Sequence, residues 1–273
     1  MSSYEVENLR DFNLQHIFEC GQCFRWNKIS DSKFEGVALG KSVTMETFET
    51  GTGKVTLRIT PCTKEDFENI WYNYLDLGRD YGEIKKKLSE NDEILMKAAE
   101  YGCGIRILNQ DLWETIISFI ISQNNNIPRI KGCIEKFCEL FGEKVSEGKF
   151  AFPGIEDIAR LKTEDLEEVR LGYRAKYITA TAKYIAERGL PQNEDELLNL
   201  MGVGPKVANC ITLFGMAKYD SFPIDVWVKR VMNELYGIPL SDVKEMKKYA
   251  EKNFGNLGGF AQQYLFYYMR EQK

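Results

Sequence analysis

The chain is short of several things that would announce a familiar chemistry. His16 is its one histidine, and Cys20-x-x-Cys23 has no second pair of ligands near it, so a structural or catalytic zinc site lacks its parts. Seven cysteines, odd in number and irregularly spaced behind no secretion signal, argue for reduced thiols rather than a disulfide framework. None follows Cys210, which rules out a four-cysteine iron–sulfur loop near the C-terminus. Positive charge is not in excess either. Lys+Arg 36 against Asp+Glu 41 gives a formal charge of −5, the wrong overall sign for a broad polyanion-binding surface. What remains open is a local basic face where Arg129, Lys131, Arg174, Lys176, Lys206, Lys229 and Arg230 converge. The longest apolar patch, around Ile116 to Ile121, is far too short to cross a bilayer, and the start has no basic region followed by an apolar run. A cytoplasmic protein with no membrane contact is expected.

What is present divides near residue 62. Before it, Phe34-x-Gly36-x-Ala38, Val43-x-Met45-x-Thr47 and Val55-x-Leu57-x-Ile59 alternate, with Gly51-Thr52-Gly53-Lys54 as a turn, the pattern of an antiparallel sheet. After it, helical periods dominate, with helices expected over 64–75, 84–88, 92–101, 112–121, 128–140, 163–169, 175–187, 194–200, 205–217, 225–236, 242–253 and 260–270. There are no internal repeats or low-complexity tracts. With 44% apolar residues in 273, the chain can bury one sizeable core or two linked ones. The expected class is α+β, with an N-terminal sheet domain over 1–104 and a helical region over 105–273.

One stretch carries more than fold. From Leu200 to Cys210 the chain reads Leu-Met-Gly-Val-Gly-Pro-Lys-Val-Ala-Asn-Cys, and Pro223-Ile224-Asp225 opens the helix after it. Gly202 and Gly204 allow a tight or left-handed turn, and Pro205 fits the first position of a helix. A helix-hairpin-helix over 194–217 follows, whose exposed N–H groups suit a DNA phosphate and read no base sequence. Lys206 falls in the first turn of the second helix, where the positive end of the helix dipole and any burial favour a neutral, nucleophilic amine. Asp225 could stabilise a cation developing at a sugar C1′ and shuttle protons, as cleavage of an N-glycosidic bond by an amine demands. Taken singly, Lys206 reads equally as a solvated lysine and Asp225 as a good helix cap.

Four further segments narrow the reading: Gly21-Gln22-Cys23-Phe24-Arg25-Trp26, residues 118–130 with the triple Asn124-Asn125-Asn126, Leu171-Gly172-Tyr173-Arg174-Ala175-Lys176-Tyr177, and Gly259-Phe260-Ala261-Gln262-Gln263-Tyr264-Leu265-Phe266. With the hairpin, its lysine and its aspartate, the chain resembles the 8-oxoguanine DNA glycosylase/AP lyase family of the helix-hairpin-helix DNA glycosylase superfamily. The resemblance implies a small twisted sheet beside two mainly helical subdomains, with the hairpin lysine at the cleft between them. It implies Lys206 and Asp225 as the catalytic pair. It puts Cys210 and Phe266 on the two faces of the flipped oxidised purine, Gln262 on its Watson–Crick edge, and the Gly21 carbonyl on the N7–H that 8-oxoguanine has and guanine lacks. Asn124 would fill the hole left in the duplex, Arg129 and Arg174 would donate to the orphaned cytosine, and Tyr173 would wedge beside it. The backbone carbonyls of Leu198, Leu200 and Val203 match a family site for a structural cation bridging to a DNA phosphate. Phe266 alone would read as a core aromatic, and Arg129 and Arg174 as solvated surface charge.

Two positions depart from the family pattern. Trp227 stands where members carry a histidine near the DNA backbone, and Met201 replaces a frequent proline. Trp227 can donate its indole N–H to a phosphate but cannot become charged. The expectation is a bifunctional glycosylase and AP lyase acting as a monomer on duplex DNA containing 8-oxoguanine, preferably opposite cytosine. It requires no cofactor and has no iron–sulfur cluster, and a compact prokaryotic, nucleoid-associated form is expected. The alternatives are a monofunctional alkyl-base glycosylase using Asp225 with water, and a noncatalytic helix-hairpin-helix DNA-binding protein.

Overall fold

A computed structural model describes residues 2–271; Met1, Gln272 and Lys273, and with them the extreme ends of the start and tail read above, lie outside the described residues. Strands β1 (Tyr4–Leu9), β2 (Trp26–Ser30), β3 (Lys33–Ala38), β4 (Lys41–Gly51) and β5 (Lys54–Thr60) form one antiparallel sheet in the order β1-β5-β4-β3-β2. The three expected strands are its centre. The sequence reading missed β1 and β2, both edges that face solvent along much of their length: β1 alternates only over Tyr4 to Glu7, and β2 is exposed beyond its first residues. Helix α1 (Leu14–Phe18) packs on the sheet, and Phe18 stacks on Trp26 at 4.1 Å. The Trp26 indole donates to the Tyr74 hydroxyl at 2.8 Å, so a buried aromatic keeps its polar atom satisfied. The single helix expected over 64–75 is broken: α2 (Lys64–Asp66) passes through a π turn at Phe67–Trp71 into α3 (Tyr72–Tyr74), a wider turn that keeps both Phe67 and Trp71 buried.

Helices α4 (Tyr81–Ser89) and α5 (Glu93–Tyr101) precede residue 104 yet share the larger, helical core. The reason is the last helix, α14 (Gly258–Glu271), which returns to pack on α5 and sets Phe260 edge-on to Tyr81 at 5.6 Å. That core is centred on α6 (Leu112–Ser122), whose isoleucine run is buried while Glu114, Ser118 and Ser122 form one narrow polar stripe along it. Around it lie α7 (Ile127–Phe141), α8 (Ile155–Ala159) and α9 (Arg174–Arg188), then α10 (Glu194–Leu197), α11 (Pro205–Gly215), α12 (Val226–Glu234) and α13 (Val243–Asn253). The stretch expected to be helical at 163–169 is a 3₁₀ turn, Thr163–Val169, and a small hairpin, β6 (Lys144–Ser146) with β7 (Lys149–Phe150), is too short to have left a pattern.

The helix-hairpin-helix forms as read, with its first helix shorter. α10 stops at Leu197, and the chain tightens: Leu200 N–H donates to the Leu197 carbonyl at 3.0 Å and Val203 N–H to that of Leu200 at 3.1 Å. Gly202 then takes φ +84°, and a Cβ there would stand 2.3 Å from the Tyr177 ring. Gly204 caps α11 in an extended conformation with open space around it. Alanine at Gly202 must both strain the backbone and push an aromatic ring, an overpacking cost of about 1–3 kcal/mol. Alanine at Gly204 loses the N-cap preference of glycine but also restricts the unfolded chain at an ordinary extended backbone, two opposed effects of about 1 kcal/mol or less each, so its net change is expected to be smaller than that at Gly202. Urea unfolding of the two variants measures the contrast.

Candidate active site

The site is built where two helix N-termini meet the loop before β2. At α11, Pro205 takes the first position and Lys206 the next, its side chain exposed at the mouth of a cleft. Burial therefore does not dry the amine. At α12 the carboxylate of Asp225 caps the helix, its Oδ1 accepting the Trp227 N–H at 2.9 Å and the Val228 N–H at 2.8 Å. Both amides go to one oxygen, and Oδ2 makes no hydrogen bond among the described residues. Burial raises the Asp225 carboxyl above the ordinary 3.8, against the downward pull of the Val228 and Trp227 amides and of Lys206.

One turn along α11 from Lys206, Cys210 is buried, and burial pushes its thiol up to about 11 although the Lys206 ammonium pulls the other way. It remains a neutral thiol, suited to lying against an apolar or aromatic face. Beyond it Phe119 and Phe214 stack at 5.5 Å. Gly21 holds φ +80°, and a Cβ there would meet the edge of the Phe266 ring at 3.2 Å, so glycine is what lets the loop backbone approach this side chain. Gln262 is 5% exposed, and its Oε1 is buried with no hydrogen-bond partner, an orphan that asks for a ligand.

Lys206, Asp225, Gly21, Cys210, Gln262 and Phe266 all line one pocket of about 60 Å³. The volume is that of about two waters, too small for a two-ring base, so its walls must part to admit one. The pocket adjoins a cleft of about 800 Å³ whose lining includes Asn124, Tyr173, Gly204, Lys206, Asp225 and Trp227. Gly202 sits behind this surface against Tyr177. The triple asparagine divides its work. Asn125 Nδ2 donates to the Ile121 carbonyl at 3.1 Å, closing α6, and Asn126 caps α7 through the Arg129 N–H at 3.1 Å. Asn124 stands exposed between them at φ +46°. Tyr173 is 51% exposed.

The two arginines differ in their surroundings. Arg129 is exposed on the first turn of α7, outside the cleft lining. Arg174 is neither the solvated charge that arginine usually is nor a free donor: it is 4% exposed. Its Nε donates to the Gln123 carbonyl at 3.0 Å, Nη1 to that of Leu171 at 3.2 Å, and Nη2 to those of Gln123 and Asn124. It shapes the Asn124 loop in this state. Sequence reasoning also missed Gln22, buried beside Gly21, whose amide donates to the Ile17 and Arg106 carbonyls at 2.8 and 2.7 Å and whose Oε1 accepts the Leu108 N–H at 2.9 Å. It pins the Gly21 loop to the helical region. A polar residue amid Cys20, Cys23 and Phe24 was the available signal. Cys20 and Cys23 are both buried, and Gln263 donates to the Cys20 sulfur at 3.3 Å. The Leu198 and Val203 carbonyls accept no hydrogen bond among the described residues, while that of Leu200 takes the Val203 N–H.

Residues 6–116 match the 8-oxoguanine DNA glycosylase N-terminal domain, and residues 117–256 match the HhH-GPD superfamily of base excision DNA repair proteins. The chain belongs to the 8-oxoguanine DNA glycosylase family. Among solved structures it is similar to an 8-oxoguanine glycosylase/lyase of Clostridium acetobutylicum in complex with dsDNA containing cytosine opposite to 8-oxoG. The two are 44% identical with a TM-score of 0.91, over 99% of this chain and 96% of that one. A probable N-glycosylase/DNA lyase of Methanothermobacter thermautotrophicus is 31% identical over 66% of this chain and 68% of its own length. An N-glycosylase/DNA lyase of Saccharomyces cerevisiae is 30% identical over 85% and 70% respectively. The family's sheet-plus-helices plan is the α+β arrangement described above. No helix among the described residues is long and apolar enough to cross a membrane.

The raised Asp225 carboxyl has a measurable consequence. The native protein holds this proton at a pH where the unfolded chain has released it, so the stability from the group is full below pH 3.8 and is lost as pH rises through the higher folded value. Asparagine keeps the cap without the charge. Thermal melts over a pH series are expected to show Asp225→Asn gaining on the wild type as pH rises across that window.

Proposed function

We propose that the protein excises 8-oxoguanine from duplex DNA, preferentially opposite cytosine, and then nicks the strand through a Schiff base on Lys206. The observation that carries this is the convergence of the amine, the carboxylate, the thiol, the orphaned glutamine oxygen, the aromatic ring and the glycine loop on one pocket opening into a cleft. The DNA complex of the Clostridium relative supports the choice of substrate.

In this reading the duplex backbone lies on the hairpin, with a phosphate at the N-terminus of α11, and the lesion nucleotide is turned into the pocket. The orphaned Gln262 amide reads its Watson–Crick edge, while the Cys210 thiol and the Phe266 ring hold its faces. Guanine presents a lone pair at N7 where 8-oxoguanine presents N–H, so the Gly21 carbonyl accepts from one and repels the other. The neutral Lys206 amine attacks C1′ as the C1′–N9 bond breaks and its electron pair leaves with the base. Asp225 stabilises the positive charge developing on the sugar and relays the amine proton toward the departing base. The adduct opens to a Schiff base, loss of a C2′ proton expels the 3′ phosphate, and the strand is cut 3′ to the lesion. No redox or organic cofactor enters.

Preference for cytosine rests on Arg129 and Arg174 as donors to its N3 and O2, and Arg174, with four N–H groups on carbonyls of the chain, keeps one Nη1–H to donate. Asn124 and Tyr173 fill and wedge the gap, and Trp227 donates to the backbone near the flipped nucleotide. The carbonyls of Leu198, Leu200 and Val203 suit a structural cation between hairpin and phosphate, two of them being free to ligate.

A duplex with one 8-oxoguanine opposite cytosine tests this by gel. Wild type is expected to release the base and nick the strand, and Lys206→Gln to lose both by at least about 10³-fold while still binding the lesion. Gln262→Ala is expected to raise the half-saturating enzyme concentration about tenfold, the factor that 1.4 kcal/mol commands. Release of methylated bases without nicking would select the monofunctional alternative instead.

A further inference from the structure

The last helix places Gln262, Phe266 and Arg270 on successive turns of one stripe: the first two line the base pocket, and Arg270 lines a neighbouring pocket that shares Gly21 with it. The first two are accounted for above; Arg270 is not. Its side chain is 16% exposed, although it stands in the final turn of the helix. Its guanidinium lies 5.4 Å from the centre of the Phe266 ring. Nη2 donates to the Glu19 carbonyl, two residues before Gly21, and also reaches Glu271 at 2.8 Å. Nη1 is buried without a partner and lies 3.8 Å from where a Gly21 Cβ would stand. One side chain thus touches the ring that would stack on the lesion and the loop whose carbonyl would test its N7.

We infer that Arg270 is a positioning residue for base selection, a fork that fixes the Phe266 ring relative to the Gly21 loop. The inference rests on the glycosylase reading of the pocket. Phe266 must give way for a base to enter a pocket of about 60 Å³ and then return against its face. A cation over the ring and a bond to the Glu19 carbonyl give it a defined position to return to. Guanidinium does both at once because it is planar, stacks on rings and presents several N–H donors in a fixed fork; an ammonium can do one or the other. A buried N–H left unsatisfied is unfavourable, and this one stands at the junction of the two discriminating elements.

The role predicts a split between two reactions of the same enzyme. Excision of 8-oxoguanine needs the base pocket, whereas nicking of a preformed abasic site needs only Lys206 and the sugar. Arg270→Met keeps the apolar stem, and Arg270→Lys keeps the charge. Each preparation is measured on both substrates under single turnover, so the ratio does not depend on how much protein is folded. Arg270→Met is expected to lower excision relative to abasic nicking at least about fivefold, with Arg270→Lys between it and wild type. A ratio unchanged in both variants, whether the two activities fall together or stay the same, would overturn the assignment. Absence of both activities in the wild type would instead overturn the glycosylase reading beneath it.

Discussion

Gly202 holds a left-handed backbone against the face of Tyr177 because it has no side chain, and much of the site depends on that contact. The turn fixes where α11 begins, Pro205 then sets its first residue, and Lys206 follows at the cleft mouth with Cys210 one turn deeper. The same start leaves the unpaired N–H groups of α11 facing outward, where a phosphate can use them. Asp225 supplies the second fixed point. Its Oδ1 is occupied in starting α12, so the carboxylate is held beside the lysine by the backbone of its own helix. Local structure and site geometry are here two results of the same hydrogen bonds.

The opposite wall is assembled from the two ends of the chain. Gly21 comes from the segment before β2 and Gln262 with Phe266 from the last helix, and neither is near the hairpin in sequence. Gln22 ties the first to residues 106–108, and Arg270 ties it to the second through the Glu19 carbonyl. A base pocket walled by three separate segments can widen when one moves relative to the others.

How much of this was legible in the sequence follows from the range of the interactions involved. The hairpin, its glycines, Pro205 and the Asp225 cap are local, and the sequence states them almost completely. The central strands alternate and were visible; edge strand β1 alternates over only Tyr4 to Glu7, β2 does not alternate, and the π turn at Phe67–Trp71 left no period to read. Of the six residues of the pocket, Lys206 and Asp225 came from the hairpin and the helix starts, while Gly21, Cys210, Gln262 and Phe266 were reached by resemblance and not by periodicity, since Phe266 alone reads as core. Arg174 shows the limit of that route. Its place in the sequence suggests a hand extended to DNA and is silent on its partners within the chain, whereas the fold buries it and directs four of its N–H groups to the carbonyls of Leu171, Gln123 and Asn124. Such long-range satisfaction of buried groups has no signature in the sequence. The sequence division at residue 104 likewise could not anticipate that α14 returns to pack on α5.

The central claim is that the Lys206 amine is the nucleophile. Borohydride reduction during reaction with a duplex carrying one 8-oxoguanine opposite cytosine, followed by peptide mapping of any cross-linked protein, tests it most directly. The account predicts a covalent protein–DNA adduct whose modified residue is Lys206. Base release with no adduct, or an adduct mapping to another amine, would contradict it.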